Sequence, residues 1–177
     1  MLQTIIQMSN GMKGKRGGGM ITLQRVTEEK RELLWNINQK YLYEMTNYYP
    51  DPMDEDGNYH YGHFEEYFTD PGREAYFLYD GNELAGFAMI CPYSYIGERC
   101  DHVMAEFTVF PAMRRRHIAL EAAGMILGAR PGRWEIKYNE RNKAARELWR
   151  RVTGPYHPEE RRINDAETVL VFIVGGQ

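Results

Sequence analysis

Apolar and polar residues alternate in "ITLQRV" (Ile21 to Val26), the spacing of a strand buried on one face. Thr27 then stands where a helix N-cap belongs. The run "EEKRELLWNINQKYLYEMT" that follows brings Leu33, Leu34, Ile37, Tyr41 and Met45 to one side of a helix. Two prolines and a D-G pair make "NYYPDPMDEDGNYHYG" a loop, and "HFEEYFTD" reads as a short helix ended by "PG". "REAYFLYDGNELAGFAMICPYSY" predicts two strands about a D-G-N turn. A strand "HVMAEFTVF", a helix "RRRHIALEAAGMILGAR", a strand "RWEIKYNE", a helix "NKAARELWRRVTG" closed by Gly154 and a strand "ETVLVFIV" complete the pattern. This order predicts an α/β (α+β layered) fold. Its sheet is mixed and mostly antiparallel, with about six or seven strands, about four flanking helices, and one βαβ crossover after a meander.

The length of 177 residues suits a single domain, expected over residues 21–177, and the chain has no internal repeats. Residues 1–20, rich in Gly and Lys towards their end, read as a flexible leader, with Met20 as an alternative start. No apolar run approaches the length of a membrane span and no signal peptide is evident, so a cytoplasmic protein without a membrane partner is expected. Cys91 and Cys100 are then expected as thiols. A net charge of −3 argues against a general nucleic-acid binder. Its distribution says more. Tyr41 to Glu83 holds eleven acidic residues against one basic, whereas from Arg99 onward basic residues outnumber acidic ones by fourteen to ten. Two parts of the chain thus face ligands of opposite sign.

The sharpest feature is "FPAMRRRHIALEAAGMI", where Arg114, Arg115 and Arg116 crowd the start of a helix directly after a strand. A helix N-terminus carries unpaired N–H groups and partial positive charge, so arginine there is repelled unless an anion compensates. A phosphate suits such a site. The same residues resemble the signature of the GNAT superfamily of acetyl-CoA-dependent N-acetyltransferases. That signature is a strand ending V-x-P (here Val109-Phe110-Pro111), then R/Q-x-x-G-x-G/A (here Arg114 to Ala119). An N-x-x-A on the next helix matches Asn142 and Ala145. The likeness is closest to a branch of uncharacterised predicted acetyltransferases.

The resemblance implies that backbone amides from Arg114 through Arg115, Arg116, His117 and Ile118 to Ala119 cradle the diphosphate of acetyl-CoA, the cosubstrate. The pantetheine arm would run along Phe107 to Val109, and a backbone N–H near Val109 would meet the thioester carbonyl. A bulge or splay in that strand would open the slot. Asn142 would bond cofactor amides or cap its helix. The chain departs from the signature twice. His117 replaces a glycine, and Trp149 stands where many members carry a tyrosine that protonates the leaving thiolate; either no general acid is used, the thiolate being a tolerable leaving group unaided, or another residue such as Tyr138 or Tyr156 serves.

Glu106 interrupts an apolar strand, where burial raises a carboxyl pKa towards that of a useful base. It is the expected catalytic residue. The acidic, tyrosine-rich stretch from Tyr41 to Phe68 suits a cationic amine acceptor, a small molecule or a peptide, because carboxylates and aromatic faces both attract ammonium groups. His60 and His63 are too few for a metal site, so none is expected. Direct acetyl transfer in a ternary complex by a monomer or homodimer is the resulting expectation. Two alternatives stand beside it: a non-catalytic acetyl-CoA-binding module, and a nucleic-acid binder built on Arg114 to Arg116 with Arg146, Arg150 and Arg151.

Overall fold

The computed structural model describes residues 19–175, so the expected leader lies outside the described residues except for Gly19 and Met20. The alternating first segment forms β1 (Ile21–Arg25), and Thr27 precedes a 3-10 turn (Glu28–Lys30) before α1 (Arg31–Met45). Thr27 makes no side-chain capping bond, so the expected cap is not realised. Leu34 and Ile37 are buried as the helical period requires, but Leu33 is exposed and Asn38 takes a buried place instead. The buried stripe therefore runs Leu34, Ile37, Asn38, at i, i+3 and i+4, which leaves Leu33 at its flank.

The short helix α2 (Glu66–Thr69) ends ahead of Pro71 and Gly72. β2 (Glu74–Asp80) and β3 (Glu83–Cys91) form the expected hairpin. Their two-residue turn places Gly81 at φ 60, which glycine adopts without a Cβ clash. Then follow β4 (His102–Val109), α3 (Ile118–Gly128), β5 (Gly132–Asn139) and α4 (Lys143–Thr153). Gly154 does not end the chain's helical path. It carries on into a 3-10 turn (Gly154–Tyr156), and the left-handed residue that stops it is His157, at φ 50.

β6 (Glu159–Arg162) and β7 (Glu167–Val174) finish a seven-stranded sheet in the order β1-β2-β3-β4-β5-β7-β6. β6 was not expected, because its sequence "EERR" has no apolar alternation. It is an edge strand, where charge discourages pairing with another chain. All neighbours are antiparallel except β4 and β5, which α3 connects. Alternate residues supply two cores. Ala75, Phe77, Phe87 and Met89 pack with α1 residues Leu34 and Ile37 on one face. Tyr76, Ala88, Ile90 and Met104 pack on the other with Ala123, Ile126 and Trp149 of α3 and α4. No helix among the described residues is long and apolar enough to cross a membrane.

Candidate active site

β4 is irregular where the sequence places Glu106. Met89 pairs with Glu106 but Ile90 pairs with Met104, so Ala105 is an extra residue, a bulge. In a regular strand residues 104 and 106 point to the same face. Met104 belongs to the core on the α3–α4 side. The bulge reverses the alternation and sets Glu106 opposite Met89, on the α1 side. Phe107 then returns to the α3–α4 side and meets Trp149 edge-on, with ring centroids 5.1 Å apart.

A second irregularity opens the sheet. β5 hydrogen-bonds β4 only from His102 to Met104, opposite Trp134 to Ile136. Beyond Met104 the two strands part, and a cavity of about 690 Å³ lies at the gap. Glu106 and Phe107 line it from β4, Lys137 and Tyr138 from β5, and Tyr41 and Tyr61 from the α1 side. Enclosure by protein pushes the Glu106 carboxyl up to about 7; the neighbouring Tyr41 and Tyr61 hydroxyls and the Lys137 ammonium pull the other way without cancelling it.

The wall is held by side chains that grip backbone. Gln39 of α1 both donates to the Tyr59 carbonyl (3.0 Å) and accepts from its N–H (2.7 Å), which fixes the strand-like stretch leading to Tyr61. Arg141 donates to the Tyr48 carbonyl at 2.7 Å, tying the loop after α1 to the β5–α4 turn. The buried Glu135 carboxylate accepts from Ser94 Oγ (2.6 Å) and from the Tyr95 N–H (2.7 Å), so Tyr95 is presented to the cavity. Lys137 Nζ stands 4.8 Å from the Tyr95 ring centroid and 5.7 Å from that of Tyr49, and it pairs with Glu167 at 2.8 Å.

A second depression of about 560 Å³ lies in front of α3, bordered by Arg115, His117, Leu120 and Arg151. Val109, Arg114, Ala119, Ala144 and Leu148 line both, so the two spaces adjoin. The helix here begins at Ile118, four residues later than the sequence pattern suggests. The three arginines therefore occupy a loop and not a first turn. Arg115 (φ 67) and His117 (φ 64) both take the left-handed backbone conformation. The charge is also less free than expected. Arg114 Nη2 donates to both Glu44 oxygens, at 2.8 and 2.7 Å, and Arg116 lies 3.8 Å from Asp80 and Glu83.

No protein-family model matches the chain, and no curated protein does. Solved structures do. A spermidine N-acetyltransferase from Vibrio cholerae, in complex with CoA and spermine, matches with TM-score 0.59 at 14% identity, covering 86% of this chain and 95% of that one. The GNAT domain of S. lividans PAT matches with TM-score 0.66 at 14% identity, over 88% and 92%. Aminoglycoside acetyltransferase AAC(6')-Ib, in complex with coenzyme A and kanamycin, matches with TM-score 0.62 at 10% identity, over 87% and 95%. The chain has the GNAT fold.

On this GNAT fold the signature segment forms the end of β4, a 3-10 turn (Pro111–Met113), the arginine loop and the start of α3. Glu106, Phe107, Val109, Arg114, Ala119 and Asn142 all line the larger cavity, while Arg115, His117 and Ile118 line only the smaller. Arg116 borders neither. His117 is exposed, and its left-handed backbone is the conformation that explains a glycine in the GNAT signature. Asn142 Oδ1 accepts from the Ala145 N–H at 3.0 Å, so that oxygen caps α4. Trp149 is core, as its apolar surroundings on α4 imply. Of the two alternative hydroxyls, Tyr138 reaches the cavity, whereas Tyr156 stacks on Phe172 at 5.6 Å, outside it. His60 lines the cavity and His63 pairs with Glu66 at 2.7 Å.

Lys137 and Tyr95 were missed by sequence reasoning, as was the pairing of Glu44 with Arg114. Lys137 and Glu135 lie on polar positions of "RWEIKYNE", which as a pattern suggests solvent; Glu135 is instead buried and Lys137 half-buried, because the loop before β4 folds across that face.

Proposed function

We propose that the protein is an acetyl-CoA-dependent N-acetyltransferase that acts on a primary amine of a cationic acceptor, by direct attack in a ternary complex. The observation that carries this reading is Glu106. A carboxyl with its pKa pushed up to about 7 stands on the wall of the gap between parted strands, on the side lined by tyrosines. Ionised near neutral pH, it can take a proton from an incoming ammonium and leave the amine neutral for attack.

The other residues fit the cofactor. The unpaired edge of β4 from Phe107 to Val109 offers main-chain donors and acceptors along an extended pantetheine arm. The arginine loop turns twice through left-handed conformations ahead of α3, so Arg114, Arg115 and His117 to Ala119 border a depression with room for a diphosphate. Acetyl-CoA supplies the activated acyl group, and no metal is invoked. Tyr138 is our candidate to protonate the departing thiolate because the residue lines the cavity, with Trp149 excluded because an indole N–H is no acid near neutral pH.

Besides Tyr138, six tyrosines line the cavity, with Glu44, Asp51 and Glu106 as its carboxylates. Both features favour a positively charged amine. Two structural neighbours were solved in complex with spermine and with kanamycin, respectively, which supports this acceptor class. The nucleic-acid reading is weakened because four of its six arginines, Arg114, Arg116, Arg146 and Arg150, are each within 4 Å of a carboxylate. The test is thiol release from acetyl-CoA with a panel of amines. Cationic polyamines, aminoglycosides or lysine peptides should react, and reaction with neutral or acidic acceptors alone would overturn the acceptor class.

A further inference from the structure

Among the described residues, Arg114 is the one Lys or Arg that lines both spaces. Its guanidinium is already committed. Nε donates to the Val109 carbonyl at 2.8 Å, and Nη2 donates to Glu44 Oε2 at 2.7 Å and Oε1 at 2.8 Å. Glu44 sits in the last turn of α1, on the acceptor wall. A carboxylate facing the acceptor is thus neutralised by an arginine whose loop fronts the cofactor side.

Neither partner is deeply buried, the side chains being 43% and 35% exposed, so the pair is weakly held against competition. A diphosphate is a stronger partner, since it carries more charge and presents several oxygens to a planar fork. The Nε–Nη2 edge, which matches two oxygens at once, is occupied; only Nη1 is uncommitted. A diphosphate can grip Arg114 along that edge only by taking it from Val109 and Glu44.

We propose that Arg114 is a latch between the two subsites: the cofactor diphosphate draws it away from Glu44, and the released carboxylate becomes a cation subsite that selects acceptors with a second positive charge. This rests on the acetyl-CoA reading above. Other carboxylates on that wall are Asp51 and Glu106, and the neighbouring Lys137 is held by Glu167. Freeing Glu44 therefore adds one full negative charge where cation and anion were balanced. By thermodynamic linkage, each ligand then strengthens the other by the same factor.

Calorimetry on the full chain tests this, using coenzyme A, spermidine as a polycation and n-butylamine as a singly charged control. Coenzyme A should tighten spermidine binding by about fivefold or more, the low end of ordinary coupling, and leave n-butylamine within about twofold. Spermidine should tighten coenzyme A equally. In Glu44→Gln, coenzyme A should bind more tightly than to wild type and the spermidine coupling should vanish, whereas Glu44→Asp should retain part of it. Circular dichroism and the melting midpoint establish that each variant is folded. Equal coupling in wild type and Glu44→Gln, with coenzyme A bound by both, overturns the latch and leaves the acetyltransferase reading intact. Absence of coenzyme A binding to the wild type overturns both.

Discussion

The two spaces that meet at Val109 and Arg114 are built from different materials. The side where we place the acceptor is made of side chains: tyrosine rings, Glu106 and Lys137, held in place by Gln39, Arg141 and Glu135 gripping backbone. The cofactor path we propose is mostly main chain: the unpaired edge of β4 and, in front of α3, a loop with two residues in the left-handed region. Side chains can be exchanged one at a time without moving their neighbours' backbone, so the acceptor wall can diversify while the sheet stays fixed. A main-chain cradle tolerates almost any residue type and almost no change of path.

That difference can be broken first at Glu106. Glu106→Gln should lower acetyl transfer at pH 7 by about a hundredfold or more, the usual contribution of a positioned base, measured by thiol release. The wild-type rate should climb with pH through about 7 as the carboxyl ionises. The same raised pKa has a stability consequence of opposite sign. The folded state holds this proton more tightly than the unfolded chain does, so the stability contribution falls as pH rises from about 4.5 to about 7. Urea midpoints should show a shallower fall over that window in Glu106→Gln.

The main-chain side breaks differently. A Cβ added at Gly86 would overlap the Thr108 carbonyl oxygen and stand 3.1 Å from Val109 Cα, backbone atoms that cannot step aside. Gly86→Ala should therefore pry β3 from β4 and cost about 2–3 kcal/mol, at the upper end of ordinary substitutions, read by urea unfolding. A change well below 1 kcal/mol would mean that this path is more forgiving than the geometry indicates.

The smallest effect belongs to His117. Its backbone is already where glycine is comfortable and its side chain is exposed. Relief of left-handed strain and the greater freedom of glycine in the unfolded chain oppose each other, so His117→Gly should shift stability by no more than about 1 kcal/mol. Coenzyme A affinity should change by less than about twofold by calorimetry if the ring does not crowd the diphosphate; a large gain would place the imidazole in the cofactor's way.

The order of elements was legible because period-2 and period-3.6 patterns are written in residues such as Phe77, Phe87, Ala122 and Ile126, whose burial needs no other information. The strand β6 was not, since "EERR" is chosen for an edge and not for a core. Glu106 was legible as an ion in an apolar strand. Its facing was not, because the Ala105 bulge reverses the alternation and a bulge leaves no mark in composition. The arginine loop shows the same limit from another direction. Arg114 and Arg116 announce an anion, but two of their anions belong to the protein, Glu44 and Asp80, at sequence separations no local pattern can bridge.

The parting of β4 from β5 also has a mechanical meaning. The sheet is one layer in order, yet its central seam is stitched at only His102 to Met104. Below that, the leaf β1–β4 and the leaf β5–β7 are joined through the helices clasping them, with the Phe107–Trp149 contact near the open end. An extended guest lying in the slit would be a splint across the joint, stiffening the protein along the line where it is otherwise easiest to flex.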